Sequence, residues 1–306
     1  VSADSNSNRV FRPPYPGQQV TNNDRTYYMG QAVGQGHFGS VYECIDDWGN
    51  HLAAKIITPK KESYEEVKRR WMHEAKNLIL MRHPNITYVY DVFEYNDTFY
   101  IIMERCALTL KNLMDGANFN GHLWILPIAR CILQGVDFIH DQGYAHKDLH
   151  YQNIFISFIP DEVVKSSQPA TVFKVGDLGI SRLEDEIDQV NTVLADWMRP
   201  PEALDPLQFG TISRLVDIYH AGLLFLTILQ GRVLSFTREE VLAGAPRIMA
   251  ESLASPYGPA IAKALRRHTQ KRTQTALEFW RDLNNIAQVT RSDPLAHSAF
   301  SQSSRK

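Results

Sequence analysis

Eight residues near the start of the chain, Gly34-Gln35-Gly36-His37-Phe38-Gly39-Ser40-Val41, constrain its fold more than any other stretch. Glycines spaced G-x-G-x-x-G suit a backbone that must lie close to phosphates, because no side chain stands in the way. The same spacing occurs where a strand opens into a helix and a dinucleotide binds. The flanks separate the two cases. Gln31-Ala32-Val33 before the glycines and Ser40-Val41-Tyr42-Glu43-Cys44 after them alternate as strands do, so the glycines close a hairpin.

The next strand, Leu52-Ala53-Ala54-Lys55-Ile56-Ile57, carries a single lysine among small and apolar residues. Ser63-Tyr64-Glu65-Glu66 then reads as a capping box, with Ser63 as N-cap and Glu66 at the third helical position. On the helix that follows, Val67, Trp71, Leu78 and Met81 form one apolar stripe. At about 100° per residue, Glu74 projects into the middle of it. A carboxylate there is costly without a cation, and Lys55 is the natural partner.

Further along, His146-Lys147-Asp148-Leu149-His150-Tyr151-Gln152-Asn153 is followed at a distance by Asp177-Leu178-Gly179. An Asp, an Asn five residues later and a second Asp ahead of a Gly are what phosphoryl transfer needs. One Asp orients a hydroxyl, while the Asn and the other Asp hold divalent metal against a triphosphate.

The organisation around these pieces is simple. Residues 1–26 are rich in Ser, Asn and Pro and read as a flexible lead-in. Residues 27–103 read as five strands with one helix after the third. From Thr109 the chain is mostly helical: Ile125, Ile128, Ile132, Val136 and Ile139 keep a helical stripe that ends at Gly143. Leu215 to Gln230 is almost wholly apolar, as in a helix buried on all sides. Residues 289–306 read as a flexible tail.

Composition sets limits. The chain has 306 residues, is 44% hydrophobic and carries a net charge of −2 with both signs interspersed. No broad basic face argues for nucleic acid or an anionic membrane. Cys44, Cys106 and Cys131 lack metal-like spacing and read as buried thiols of a reducing compartment. No signal peptide is evident, and no apolar run is expected to reach the roughly 18 residues of a membrane span. The longest candidate, Ala221 to Leu229, reads as a core helix. A cytoplasmic location is expected (the host cytosol, for an effector). An opening Val in place of Met is expected of a piece of a longer protein.

In order and spacing, the glycine hairpin, strand Lys, helix Glu, loop Asp and Asn, second Asp and Pro200-Pro201-Glu202 resemble the eukaryotic-type protein kinases over residues 27–288. Asp217-Ile218-Tyr219-His220-Ala221-Gly222 resembles the opening of that family's long central helix, and Arg272 the late Arg that pairs with the Glu after the prolines. The resemblance implies an α+β fold of two lobes. Residues 27–103 would form a small antiparallel β lobe with one long helix, and 104–288 a larger, mostly helical lobe. It also implies ATP and Mg2+, with Mn2+ as a substitute, and a protein substrate phosphorylated on Ser or Thr.

The same resemblance assigns roles. Gly34, Gln35, Gly36 and Gly39 would lie over the phosphates, and Lys55, held by Glu74, would bind the α- and β-phosphates. Val41, Ala53 and Phe155 would sandwich the purine, with Met103 controlling the depth of the pocket. Backbone groups of Glu104 and Cys106 would bond the adenine edge. Asn153 and Asp177 would hold two metal ions, and Asp148 would accept or orient the proton of the attacking hydroxyl.

Several departures from the family pattern matter. Lys147 replaces an Arg that grips a phosphorylated segment bidentately, and Lys offers only a point charge. His150 stands where Ser/Thr-directed members carry a Lys that contacts the γ-phosphate, and Ala195 replaces the Thr of the same network. Leu178 replaces a Phe, a neutral change. Asp177 follows Asn153 by 24 positions, a longer interval than the family's, which reads as an enlarged hairpin loop over Ser157–Thr171. Between Gly179 and Pro200 only Ser181 and Thr192 are phosphorylatable. Glu184, Asp185, Glu186 and Asp188 read first as a solvated loop and second as a source of charge for Lys147 or Arg82; constitutive activity or switching outside this segment is expected. Two other readings remain open at this point: a pseudokinase or nucleotide-binding scaffold, and a small-molecule kinase suggested by Asp148-Leu149-His150.

Overall fold

The computed structural model describes residues 10–36, 39–57, 63–160, 169–178, 182–184, 187, 194 and 198–292. It divides into two compact units, Val1–Ala107 and Leu108–Lys306. The division falls a few residues after the lobe boundary read at Met103.

In the first unit, β1 (Gln19–Asn22), β2 (Arg25–Gly36), β3 (Gly39–Asp46), β4 (His51–Ile57), β5 (Val89–Tyr95) and β6 (Thr98–Glu104) form one antiparallel sheet, ordered β1-β2-β3-β4-β6-β5. The glycine motif is the β2–β3 hairpin, with Gly34 opposite Val41, Gln35 opposite Ser40 and Gly36 opposite Gly39. His37 and Phe38 lie outside the described residues. Gly39 is required by close approach: a Cβ there would stand 2.2 Å from the Ile56 carbonyl oxygen. Helix α1 (Tyr64–Leu80) begins at the expected capping box, since Ser63 N–H donates to Glu66 Oε2 at 2.7 Å and Glu66 N–H to Ser63 Oγ at 3.4 Å. The helix is tied to the sheet by Trp71, whose indole donates to Tyr100 O at 3.1 Å and stacks on Phe99 with ring centroids 5.0 Å apart.

Residues 10–26 depart from the flexible lead-in that their composition suggests. β1 pairs with β2 across Asn23 and Asp24, with Asn23 in the left-handed region at φ 51°. Val20 is fully buried in the cluster of Tyr27, Met29, Phe93 and Tyr100. Before β1, Arg12 N–H donates to Thr98 Oγ1 at 3.2 Å. The two edge strands of the sheet are then bridged by side chains. The Asp91 carboxylate on β5 accepts from Asn22 Nδ2 at 3.1 and 3.0 Å and from the Tyr27 hydroxyl at 2.8 Å. Burial and the hydrogen bond to Asp91 push the Tyr27 phenol well above its ordinary pKa, so it stays a donor. A strand with one apolar residue in four gives almost no periodic signal, which is why composition missed it.

The second unit holds β7 (Leu108–Thr109), α2 (Leu110–Met114), α3 (Gly121–Asp141), β8 (Tyr144–Ala145), β9 (Ile154–Ile159), β10 (Ala170–Val175), β11 (Arg182–Leu183), α4 (Pro201–Leu204), α5 (Pro206–Phe209) and α6 (Leu215–Gln230). After them come α7 (Arg238–Ala243), α8 (Ala245–Glu251), α9 (Gly258–Ala264) and α10 (Ala276–Ser292). The last helix runs into the stretch read as a tail. α6 occupies the centre, with buried side chains on all faces. α3 packs on α6, α10 and β10, and Gly121 lets it approach: a Cβ there would sit 1.9 Å from Ile228 O. The enlarged loop is the β9–β10 hairpin, closing at Ile159 opposite Ala170; residues 161–168 lie outside the described residues.

One expectation from hydropathy needs correction. α3, with 21 residues, is long and apolar enough to cross a membrane by length and composition. Arg130, Asp137 and its histidines interrupt every purely apolar run within it. Its stripe of Ile125, Ile128, Ile132, Val136 and Ile139 is fully buried against the unit's own helices, as in the core helix of a folded domain.

The Asp91 bridge yields a measurable expectation. Asp91→Ala leaves the buried Tyr27 hydroxyl and Asn22 amide without their acceptor, and should lower the unfolding free energy by about 2 kcal/mol. Equilibrium urea unfolding would read this as a lower midpoint at unchanged slope.

Candidate active site

Charge in the first unit is arranged around β4 and α1. Lys55 Nζ meets Glu74 Oε1 at 2.6 Å, with 7% and 1% of the two residues exposed. The expected ion pair is therefore formed and desolvated, so each partner depends on the other. The hairpin glycines lead into β3, where Val41 is half-buried, and on to β4, where buried Ala53 stands opposite Met103 of β6. Glu104 N–H donates to Tyr88 O at 2.8 Å. That N–H is thus committed to Tyr88, and the expected adenine contact at Glu104 would fall to its carbonyl oxygen. Cys106 is half-buried, while Cys44 is fully buried and its thiol is pushed up to about 12 by desolvation. Cys131 is also only half-buried, so one of the three thiols matches the buried expectation.

In the second unit the catalytic-type loop, residues 146–153, is hung on Asp217 in the first turn of α6. This fully buried carboxylate accepts from His146 N–H at 2.8 Å, Lys147 N–H at 2.7 Å and His140 Nε2 at 2.8 Å. Burial alone would push its carboxyl up. The His140 hydrogen bond, the charges of His140 and His146 and the Lys147 N–H outweigh that and hold it below the usual range. The clamp also holds Lys147 in the left-handed region, φ 68°, a conformation that costs a non-glycine residue about 1–2 kcal/mol. Lys147 is only 3% exposed, unlike a phosphate-gripping surface charge.

The loop then organises Asp148. His146 Nδ1 accepts from Asp148 N–H at 3.2 Å, which leaves the ring proton on Nε2 to donate to Gly176 O at 3.1 Å. Gly176 N–H in turn donates to Asn153 O at 2.9 Å. Through these two bonds the end of β10, and with it Asp177 at φ 59°, is latched to the loop. Asn153 Nδ2 donates to Asp148 O at 2.9 Å and to Asp148 Oδ2 at 3.0 Å, so the amide is oriented with its carbonyl oxygen Oδ1 turned away from Asp148. On the other side His150 Nδ1 accepts from Gln152 N–H at 3.2 Å, and Nε2 stands 3.5 Å from Asp148 Oδ1. Burial pushes the Asp148 carboxyl up, but the hydrogen bond and charge of His150 lead the interactions that bring it below the ordinary range. Asp148 is thus an ionised acceptor with both oxygens spoken for in orientation.

Phe155, half-buried on β9 opposite Thr109 and Lys174, and Leu178, fully buried, flank this loop in sequence. Deeper in the unit, Arg272 and Glu202 form the expected pair as two parallel bonds of 2.7 Å between side chains with no exposure. Arg272 also donates to Leu215 O at 2.9 Å and to Arg266 O at 3.1 Å, and its guanidinium lies 5.0 Å over the Tyr219 ring.

Other expectations fare differently. Glu184 accepts from Arg214 N–H at 3.2 Å, and its Oε2 lies 3.7 Å from Arg214 Nε; in the first unit, Arg82 lies over the Tyr88 ring. Gly179, Ser181, Asp185, Glu186, Asp188, Thr192 and Ala195 lie outside the described residues. Sequence reasoning missed His140 and His220. The available signal was a lone imidazole on an otherwise apolar helix face, which burial permits only with a partner.

An antiparallel sheet carrying a buried Lys–Glu pair, and a helical unit carrying a latched Asp–Asn–Asp loop over a central helix, define the two-lobed α+β kinase class. The family model described as protein kinase domain matches residues 27–297, and the chain belongs to the protein kinase family. It is similar to cyclin-dependent kinase F-4 of Oryza sativa subsp. japonica, 30% identical over 206 residues that make up 66% of this chain and 41% of the relative. Probable serine/threonine-protein kinase zyg-1 of Caenorhabditis briggsae is 30% identical over 65% of this chain and 26% of the relative. Probable serine/threonine-protein kinase PknB of Lactococcus lactis subsp. lactis is 27% identical over 78% and 37%. The chain spans less than half the length of these curated relatives.

Two outcomes follow from the buried charges. Arg272→Met leaves Glu202 ionised and alone in the core, and should cost about 3–5 kcal/mol of stability in chemical denaturation. Asp217 has a depressed folded pKa, so its contribution is present above the ordinary carboxylate range near pH 4 and is lost as pH falls through the lower folded value. Asp217→Asn should be less stable at neutral pH, with a shallower acid limb in unfolding free energy against pH than the wild type.

Proposed function

We propose that the protein transfers the γ-phosphate of ATP to Ser or Thr hydroxyls of a protein substrate, with Mg2+ bound and Mn2+ as a substitute. The observation that carries this reading is the Asp148 carboxylate, kept ionised and aimed by Asn153 on one oxygen and His150 on the other. An acceptor so placed can orient a hydroxyl and take its proton. The serine/threonine-protein kinase names of the relatives from Caenorhabditis briggsae and Lactococcus lactis support the acceptor class.

The residues present fit a hard cation. Asn153 spends its amide nitrogen on Asp148 and turns a carbonyl oxygen outward, and Asp177 adds a carboxylate latched through Gly176. Among the described residues no group of three or more His, Cys, Asp or Glu could hold a metal alone. This suits an ion that takes one or two protein oxygens and completes its shell with phosphates and water. When bound, Mg2+ neutralises charge on the phosphates. Lys55, fixed by Glu74, would bind the α- and β-phosphates. The hairpin glycines would lie over the phosphates, and Val41, Ala53, Met103, Cys106 and Phe155 would contact the base. The contribution of the protein is position and charge, with no covalent step on the enzyme.

His150, expected among the catalytic residues, has its Nε2 3.5 Å from Asp148 Oδ1, from where it would position the carboxylate. The retained Lys55, Glu74, Asp148, Asn153 and Asp177 favour catalysis over a scaffolding role, and the three cysteines, present as thiols, favour a reducing, cytoplasmic setting.

The test is incubation with ATP and Mg2+ and generic protein substrates, read by intact mass and phosphopeptide mapping. Wild type should add phosphate at Ser or Thr. Asp148→Asn should lose transfer by at least about 100-fold while still binding ATP in calorimetry. Equal transfer by the two proteins, or phosphate found on Tyr alone, would overturn the assignment.

A further inference from the structure

A recess of about 600 Å3 lies in the first unit, between the segment ahead of β1 and the β5–β6 turn. It shares no residue with the candidate active site. The segment is an arch with both feet fixed. At one foot Arg12 N–H donates to Thr98 Oγ1 at 3.2 Å, and the Thr98 hydroxyl donates back to Arg12 O at 3.0 Å. At the other, Gly17 N–H donates to Met29 O at 2.8 Å, and Met29 N–H donates to Gln18 O at 2.9 Å. Between the feet the chain turns at Gly17, φ 84°, and Gln18 N–H donates to Tyr15 O at 3.1 Å. Pro13, Pro14 and Pro16 each fix a φ angle, so the arch stays open at little cost in entropy.

Tyr100 forms the floor. Its backbone is paired on both sides, with Ile56 of β4 and Phe93 of β5, so the ring is what reaches the recess. That ring stacks on Phe93 with centroids 5.2 Å apart, and Phe93 stacks on Tyr27 at 5.6 Å, which holds it in place. Tyr100 is 1% exposed, and its hydroxyl has no hydrogen-bond partner among the described residues. Burial, with the Tyr95 and Tyr42 phenols nearby, pushes its pKa well up, so it stays a protonated donor. A largely desolvated donor of this kind asks for an acceptor. At the mouth stands exposed Arg12, whose guanidinium meets no carboxylate among the described residues. The lining holds no acid, and Tyr15 and Tyr95 add two more rings.

We propose that this recess binds a small aromatic acid, its carboxylate or phosphate head held by Arg12 and the Tyr100 hydroxyl and its ring lying beside Tyr15 and Tyr95. The volume is that of a small-molecule site, commonly about 300–1,000 Å3. A guanidinium accepts a carboxylate or phosphate in two parallel bonds, and a phenol donor adds a third. Tyrosine rings favour a flat body over a branched one. A cation is refused, since the only charge in the lining is positive. The site is separate from phosphoryl transfer, and nothing in it depends on that reading.

The experiment is titration calorimetry of the full chain with phenyl phosphate, 4-hydroxybenzoate, neutral 4-hydroxybenzamide and inorganic phosphate. The two aromatic acids should bind about tenfold more tightly than the amide or the inorganic ion. Arg12→Gln, at an exposed position, and Tyr100→Phe, which keeps the stacked ring, should each weaken the acids by about tenfold. Arg12→Gln should leave the amide unchanged. Thermal melting checks that both variants are folded. Acid binding that neither variant moves overturns the site, as does equal binding of acid and amide. Absence of binding by either acid at concentrations up to about 5 mM overturns it too. A phosphotyrosyl peptide that binds about tenfold more tightly than phenyl phosphate replaces the small acid with a protein partner and overturns the assignment of ligand. No phosphate transfer enters the readout, so each result is distinguishable from success or failure of the kinase reading.

Discussion

The second unit depends on one buried carboxylate. Asp217 has no exposure and collects two backbone N–H groups and one imidazole. A carboxylate in that position is stable only because all three donors converge on it. The loop in turn can hold Lys147 in a left-handed conformation only because the carboxylate is there. From this point order spreads outward: His146 reaches Gly176, Gly176 reaches Asn153, and Asn153 reaches Asp148. The placement of the loop is therefore decided in the core, on the most buried helix of the unit, and not at the surface where its chemistry would be used.

The same economy recurs at the other buried charges. Lys55 and Glu74 share one short contact between a strand and a helix, and Arg272 and Glu202 share two. Desolvated pairs of this kind stabilise little against apolar substitutes, but they tolerate the loss of one partner poorly. Each joins elements far apart in sequence, and so enforces one arrangement over alternatives of similar hydrophobic burial.

Much of this was legible in the chain. The hairpin nature of the glycine motif followed from alternation on both flanks. The Lys55–Glu74 pair followed from a carboxylate placed inside an apolar stripe, and the buried α6 from unbroken hydropathy. These signals are local or periodic, and they survive in a single sequence. What escaped detection depends on tertiary partners. β1 is a strand because Val20 finds Tyr27 and Phe93, and four residues with one apolar member carry no period. The commitment of Glu104 N–H to Tyr88, the turning of Glu184 to Arg214 and the orphan nitrogen of His220 each require knowing which atoms meet. His150 was recognised as a departure, but its orientation toward Asp148 was set by the neighbouring Gln152 N–H, a three-dimensional detail.

The side-chain bridge from Asp91 to Asn22 and Tyr27 has a consequence for where this domain begins. The family match starts at residue 27, whereas the sheet starts at Gln19 and its anchoring at Arg12. A protein trimmed to the motif boundary would present β2 as a bare outer strand with Tyr27 and Met29 uncovered. Unpaired backbone beside exposed aromatic surface is a template for strand-to-strand self-association. Solubility, more than catalysis, is thus the property guarded by the residues ahead of the family match.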